Sequence, residues 1–389
     1  MLSSVKEREV QLDRVTPPQL DPRARPKLML CTPPLLPQIC ARNWKYGYCK
    51  SVVLLNSDAQ IQYVRFLEDF VAFGTNQGDC YVVEMGSGDV VAALEGHDAE
   101  VTALAFDAEY LISGGADNLV LLNRISLWAS PVQPLDDGDT AVGGLETQAK
   151  GEGQVTLGAA LHCCTGHTDR VTGVERLSKQ EAVSCSVDGK VMKWDLNSGE
   201  CLATWDMGSP VLALGTADGF VAVGLFSGKV VFLDGSSGKA VMEFDAHGSD
   251  PVRCLDFPSK DVLVTGGQDG LVKYWDLIEG GEPQGEGSGS YWVDGRNVTH
   301  RFSGHTAPVV AVASDECKIV SACLNGDIRV WDLKLGLELY RIEGHQNIKS
   351  VNFDRTRMIT DGTLGSIVIR DFSEEGGGDD EDVIIDERE

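Results

Sequence analysis

Gly166-His-Thr-Asp-Arg-Val-Thr-Gly-Val-Glu-Arg176, continuing after a short turn into Glu181-Ala-Val-Ser-Cys-Ser-Val-Asp-Gly-Lys-Val-Met-Lys-Trp-Asp195, is the stretch that decides the fold. It opens on Gly-His, runs through two β-branched segments split by a polar turn, and closes on Trp-Asp. The frame recurs. Gly96-His97, Ala246-His247, Gly304-His305 and Gly344-His345 are followed by Asn123-Arg124, Trp275-Asp276, Trp331-Asp332 and Arg370-Asp371, always 26–29 residues after the opening residue. Successive histidines stand 70, 80, 58 and 40 residues apart. The shortest spacing is one unit, so the 80-residue gap hides another. It lies at Val211 to Asp234, where Phe220-Val-Ala-Val-Gly, the turn Ser227-Gly228-Lys229 and Val230-Val-Phe-Leu-Asp234 keep the pattern without His or Trp-Asp. The 70- and 58-residue gaps carry insertions instead. One further unit precedes His97, with runs at Ile61–Phe66, Phe70–Thr75 and Cys80–Met85, which makes seven.

Short β-branched runs broken by Gly, Asp and Asn turns predict antiparallel strands. Val101-Thr-Ala-Leu-Ala-Phe106, a turn, then Tyr110-Leu-Ile-Ser-Gly114 is one example. The last unit ends its third strand near Phe372 and lacks a fourth, and Ser51-Val-Val-Leu-Leu55 is the natural donor. Such pairing removes an exposed sheet edge. The chain resembles the WD-repeat family of β-propellers. The expected fold is all-β: a seven-bladed WD-repeat β-propeller over residues 44–372, closed by an N-terminal strand.

The resemblance implies a hydrogen-bonded tetrad in each complete repeat. The matching residues are His167, Ser184 (or Ser186), Asp188 and Trp194; His247, Thr265, Asp269 and Trp275; and His305, Ser321, Asn325 and Trp331. A His–Asp pair with an indole donor is chemically self-satisfying, as buried polar groups must be. The second repeat keeps His97 and Asp117 but has Asn123 for Trp; the seventh has Leu364 and Arg370. Those two networks are expected to be partial and their blades softer.

Five of the seven histidines are thereby placed in the frame, leaving His162 and His300. The chain contains no nucleophile elbow, phosphate-cradling loop, dinucleotide fingerprint or His-Glu-x-x-His motif, so no catalytic or cofactor-binding residue is predicted. His162-Cys163-Cys164 has metal-ligand chemistry, but adjacent cysteines on a strand face opposite ways. No metal site is predicted. A net charge of −26 makes nucleic acid and anionic membranes poor partners. It suits either a basic peptide or protein face, or solubility alone. Eleven cysteines without Cys-x-x-Cys spacing fit a reducing compartment, and no apolar run is long enough for a signal peptide or membrane span. Cytoplasm or nucleus is the expected location.

Residues 1–43 hold seven of the fourteen prolines and read as a flexible leader. Residues 127–160 and 278–297 read as insertions between the third and fourth strands of their blades, and 373–389 as an acidic tail. Within that tail, Val383-Ile384-Ile385 flanked by carboxylates resembles the short motifs that bind the small ubiquitin-like modifier.

Two features give a narrower resemblance. Arg42-Asn-Trp-Lys-Tyr-Gly47 is similar to the segment joining F-box to propeller in F-box/WD-repeat proteins. The compact hairpins Phe106-Asp107 to Ser113 and Phe353-Asp354 to Thr360 are similar to theirs. This implies capture of a substrate for a ubiquitin ligase, with Arg253 at a position where phosphodegron readers carry arginine and Arg170 and Lys349 adding charge nearby. At the other repeats the chain has Thr102 and Thr172, and residues 1–43 do not supply an F-box. The functional expectation is a non-enzymatic protein–protein interaction module, serving either ubiquitin-ligase components or, as a scaffold subunit, another complex in signalling, RNA processing or trafficking.

Overall fold

The computed structural model of the chain describes residues 15–16, 36–56, 59–125, 156–277, 298–343, 348–361 and 365–373. They form seven sheets around a central channel, each built on a four-stranded antiparallel blade that is one of the expected units. Blade 3, built from the opening stretch, is the plain case: Val171–Arg176, Glu181–Ser186, Lys190–Asp195 and Cys201–Asp206 follow one another from channel to rim. Blade 4 is the hidden repeat, with Val211–Ala217, Phe220–Leu225, Lys229–Asp234 and a fourth strand Ala240–Asp245. The fourth strands of blades 2 and 5, His162–Cys164 and Val298–Phe302, come after the two insertions.

Cores form where blades face one another, because each sheet is apolar on both faces. Trp194 and Trp275, both 1% exposed, each anchor one of these layers. Tight turns repeat with the same chemistry. Asp195 takes the amides of Asn197 and Ser198 on Oδ1, both at 2.8 Å, and Asp332 holds those of Lys334 and Leu335 at 2.9 and 2.8 Å. The aspartate of Trp-Asp is thus a turn-former. Asp107 and Asp354 do the same in the compact hairpins, each accepting two amides.

The ring closes as expected. Lys50–Asn56 pairs antiparallel with Ser366–Asp371 and supplies the fourth strand of blade 7. The expected leader needs correction, because a helix, Leu36–Tyr46, crosses its boundary at residue 43. Pro37 stands in the first turn, where no amide hydrogen is missed. Cys40, Asn43, Trp44 and Gly47 form a buried i, i+3, i+4, i+7 stripe. Asn43 donates to the carbonyl of Phe372 at 2.8 Å, the Trp44 indole donates to that of Arg355 at 2.9 Å, and Trp44 stacks on Phe372 at 3.9 Å. The residues that suggested an F-box linker therefore clamp the two ends of the ring.

Two rims carry a fifth strand. Thr156–Ala159 lies parallel to Val90–Glu95 of blade 1, so the end of the first expected insertion is ordered strand. Val15–Thr16, inside the expected leader, pairs with the outer strand of blade 6. Most of both insertions, Gly344, His345, Leu364, and the tail with Val383, Ile384 and Ile385 lie outside the described residues.

Candidate functional site: the mouth of the central channel

The site is framed by the tetrads. In blade 3, His167 Nδ1 meets Asp188 at 3.0 Å and Nε2 meets Ser184 Oγ at 2.8 Å, while the Trp194 indole donates to the same hydroxyl at 2.8 Å. Ser184 is the tetrad member, and Ser186 instead donates to the Asp169 carbonyl at 2.8 Å. Blade 5 repeats this with His247 to Asp269 and Thr265, and Trp275 to Thr265, all at 2.9 Å. Burial pushes both histidines below their ordinary range despite the facing carboxylates. Burial acts to raise Asp188, but the Thr168 and Lys190 amides and His167 outweigh it and hold the carboxyl low.

Blade 6 departs from the expected set. His305 Nε2 meets Ser321 at 2.7 Å and Trp331 donates to Ser321 at 2.8 Å, but Asn325 does not reach the imidazole. The reason is valence. Asp188 has two acceptor oxygens, one for the Lys190 amide and one for His167. Asn325 has a single acceptor, spent on the Asp327 amide at 3.1 Å and the Cys323 thiol, and its NH2 donates to Thr306 at 2.9 Å. His305 Nδ1 is left with no partner among the described residues. Burial, reinforced by the Arg329 charge, pushes this imidazole down to about 3. In blade 2, His97 keeps Asp117 and Ser113 at 3.0 and 2.9 Å, while buried Asn123 leaves its side-chain oxygen unpartnered among the described residues. In blade 7, buried Arg370 takes the Trp position and donates to Thr360 at 3.2 Å, as the indole does elsewhere.

The tetrad face surrounds a cavity of about 610 Å³ lined by all seven blades. Its mouth is made by a repeated irregularity. In six blades the first strand bulges at one residue, which drops out of the ladder: Gln62, Thr102, Thr172, Leu212, Arg253 and Val310. A bulge re-aims the side chain it carries, and all six line the cavity. In blade 7 the Asp361 carboxylate stands in for the ladder, taking the Lys349 and Ser350 amides at 2.8 Å each, and Lys349 joins the lining. Sequence reading picked out Arg253, Arg170 and Lys349, and the structure brings all three to this mouth. It missed the ring as a ring. The signal was there: the bulged residue directly follows the buried Val101, Val171, Val252 or Val309, four or five places after the repeat histidine.

The members of the ring differ in what they are free to do. Thr102 and Thr172 donate to the Val171 and Val211 carbonyls of the next blade, so their hydroxyls stitch seams. Arg170 is tied to Glu100 at 2.8 Å. Among the described residues, the Arg253 and Lys349 side chains hold only neutral glutamines. Arg253 Nε donates to Gln268 at 2.7 Å and Lys349 Nζ donates to Gln62. Deeper in the channel, Arg65 links four blades, reaching Glu175 at 3.0 Å, Asn352 at 3.0 Å and the Leu104 carbonyl at 3.2 Å. Asp256 is held by the Ser314 amide and hydroxyl at 2.6 and 2.7 Å. Burial raises both Glu175 and Asp256, with Arg65 pulling each the other way. This floor is a satisfied network, while at the mouth Arg253 and Lys349 have no acidic partner among the described residues.

Comparison with known proteins agrees with the architecture. The family model "WD domain, G-beta repeat" matches residues 88–122, 158–195, 238–276 and 296–332. Mitochondrial division protein 1 of Vanderwaltozyma polyspora is 25% identical over 59% of this chain and 26% of its own length. The ribosome biogenesis protein WDR12 homolog of Oryza sativa subsp. japonica is 25% identical over 65% of this chain and 47% of its own. Striatin-4 of Mus musculus is 28% identical over 66% and 31%. The chain spans less than half the length of each of these relatives. Among solved structures, the WD40 β-propeller domain of Doa1 superposes with a TM-score of 0.63 at 18% identity, covering 83% of this chain and 97% of that one. These likenesses are to WD repeats in general and do not carry the narrower F-box resemblance. The chain carries WD40 repeats within a seven-bladed β-propeller.

Proposed function

We propose that the protein is a non-enzymatic assembly subunit that captures partner proteins through the tetrad face, at the mouth of the channel. The observation that carries this reading is the pair Arg253 and Lys349. In a chain of net charge −26, both converge on one opening, and among the described residues their side chains have only glutamines for partners. Fixed charge of this kind is what a recognition surface presents. The acids deeper in the channel are spent on Arg65 and Ser314. Relatives named for ribosome biogenesis and the striatin relative are consistent with a place in multiprotein assemblies. The overall negative charge argues against direct nucleic-acid contact.

Substrate recognition for a ubiquitin ligase is the second reading, supported by Arg253 at the mouth. Its other support, Arg42 to Gly47, already has the work of clamping the ring. Affinity purification of the full chain beside Arg253→Glu and Lys349→Glu variants separates the readings. An intact assembly lost from both variants is the expected result. Partners retained undiminished by both would overturn the mouth as the capture surface, and co-purified cullin would favour the ligase reading.

A further inference from the structure

The tetrad face is not uniform around the ring. Blades 4, 5 and 6 share one scaffold. In the turn after the second strand, the amides of Phe226, Gln268 and Leu324 donate to the carbonyls of Pro210, Pro251 and Pro308, each at 2.9 Å. That scaffold presents Phe226, 55% exposed, on blade 4 and Leu324, 53% exposed, on blade 6. Between them blade 5 presents Gln268, which grips Arg253. The same turn position carries Asn76, Ala116 and Val187 in blades 1 to 3. Toward the channel, the ring residues Leu212 and Val310 extend the apolar surface on either side of Arg253. Single exposed apolar residues are ordinary. Two of them at homologous turns, flanking one arginine that has no acidic partner among the described residues, form a pattern.

We propose that this sector docks a short extended peptide in which one carboxylate side chain lies between two bulky apolar ones. The proposal rests on the reading of the tetrad face as the capture surface and adds which part of it is used and by what. Phe226 and Leu324 supply the two apolar contacts. Arg253 supplies the charge: its Nε is taken by Gln268, and its two terminal nitrogens have no bond among the described residues. A carboxylate meeting them end-on makes charge-assisted hydrogen bonds. A phosphate dianion fits less well. Lys349 stands two blades away with Val310 between, Arg170 is neutralised by Glu100, and Glu175 and Asp256 lie in the channel below. The chain's own negative charge also disfavours a run of acids in the partner. Prolines and turn hydrogen bonds fix the anchors before a partner arrives, which lowers the ordering cost of binding.

The test is selection of a displayed library of random 12-residue peptides on the full chain. Binding of the resulting consensus peptide, fluorescein-labelled, is then measured to wild type and to variants of exposed residues. The expected consensus places Asp or Glu between two large apolar residues, and its affinity falls about tenfold or more in each of Phe226→Ala, Leu324→Ala and Arg253→Gln. Arg253→Glu is expected to redirect selection toward Lys or Arg at the central position. A consensus that needs phosphate, or that is basic, overturns the proposal. So does a peptide lost on Arg170→Ala or Lys349→Ala yet indifferent to Phe226→Ala and Leu324→Ala, which leaves the capture face itself standing. Selected peptides indifferent to all five positions sink both the sector and the capture face. Failure to enrich any peptide counts against the sector alone.

Discussion

The blade 6 tetrad shows how much depends on one atom. Replacing a carboxylate oxygen by an amide nitrogen turns Asn325 away from His305 and toward Thr306. Asn325→Asp restores the second acceptor. It is expected to stabilise the protein by about 1.5–3 kcal/mol, the range for a hydrogen bond to a charged group, and to raise the His305 pKa from about 3. Equilibrium unfolding and NMR titration of the imidazole check this. An unchanged titration would show that the carboxylate does not reach Nδ1. Asn123 and Trp194 occupy matching positions with opposite consequences. Trp194→Ala, removing a 1%-exposed indole and a donor to Ser184, is expected to cost roughly 3–5 kcal/mol. Asn123→Leu removes an unpartnered buried oxygen while keeping the same branched heavy-atom skeleton and is expected to be neutral or stabilising by up to about 1 kcal/mol. Urea midpoints of the two variants decide it; a loss at Asn123 near that at Trp194 would mean the amide has a partner.

The repeats were legible from the strand pattern even where blade 4 lost both His and Trp-Asp, because β-branched runs and a Ser-Gly-Lys turn survive there. The helix Leu36–Tyr46 was not, because Pro-rich surroundings hid a buried stripe of only four residues. The mouth ring left a positional signal in the sequence, but not the reason its members leave the ladder. A bulge is a property of strand register, which neither strand states alone; Arg253 and Lys349 could be suspected singly, but not that Gln62 and Gln268 would hold them. Asn325 erred because Asp and Asn look interchangeable in a pattern and differ in donor count. The clamp leads to a prediction about ring closure. Trp44→Ala removes an indole that is 4% exposed, its stack on Phe372 and its bond to Arg355. A destabilisation of about 3–5 kcal/mol is expected, with peptide binding at the distant mouth preserved below the melting range. Calorimetry of the variant checks this. A melting temperature equal to wild type would return Arg42 to Gly47 to a linker role.

Across the whole ring, buried titrating groups pull stability in opposite directions with pH. His305 falls from 6.5 to about 3 on folding, so the folded state binds fewer protons between those values. Its contribution is intact above pH 6.5 and is lost as pH falls toward 3. His167 and His247 act in the same sense. Asp361 opposes them. Burial lifts it from 3.8 to about 7, although the amides of Ser350 and Lys349 pull the other way. A raised carboxyl favours the fold below 3.8, and that advantage disappears as pH rises through 7, a swing on the order of 4 kcal/mol at most. With net charge −26, self-repulsion also grows on the alkaline side. The two trends cross on the acid side of neutrality, so unfolding free energy is expected to peak between about pH 5 and 6.5 and to decline by pH 8. Asp361→Asn is expected to lower stability at pH 5, where it loses one of two amide acceptors, and to flatten the decline from pH 6 to 8. Denaturant unfolding across that range for both proteins measures the difference in slope. Parallel profiles would mean that Asp361 is already ionised throughout, with its two backbone donors outweighing its burial.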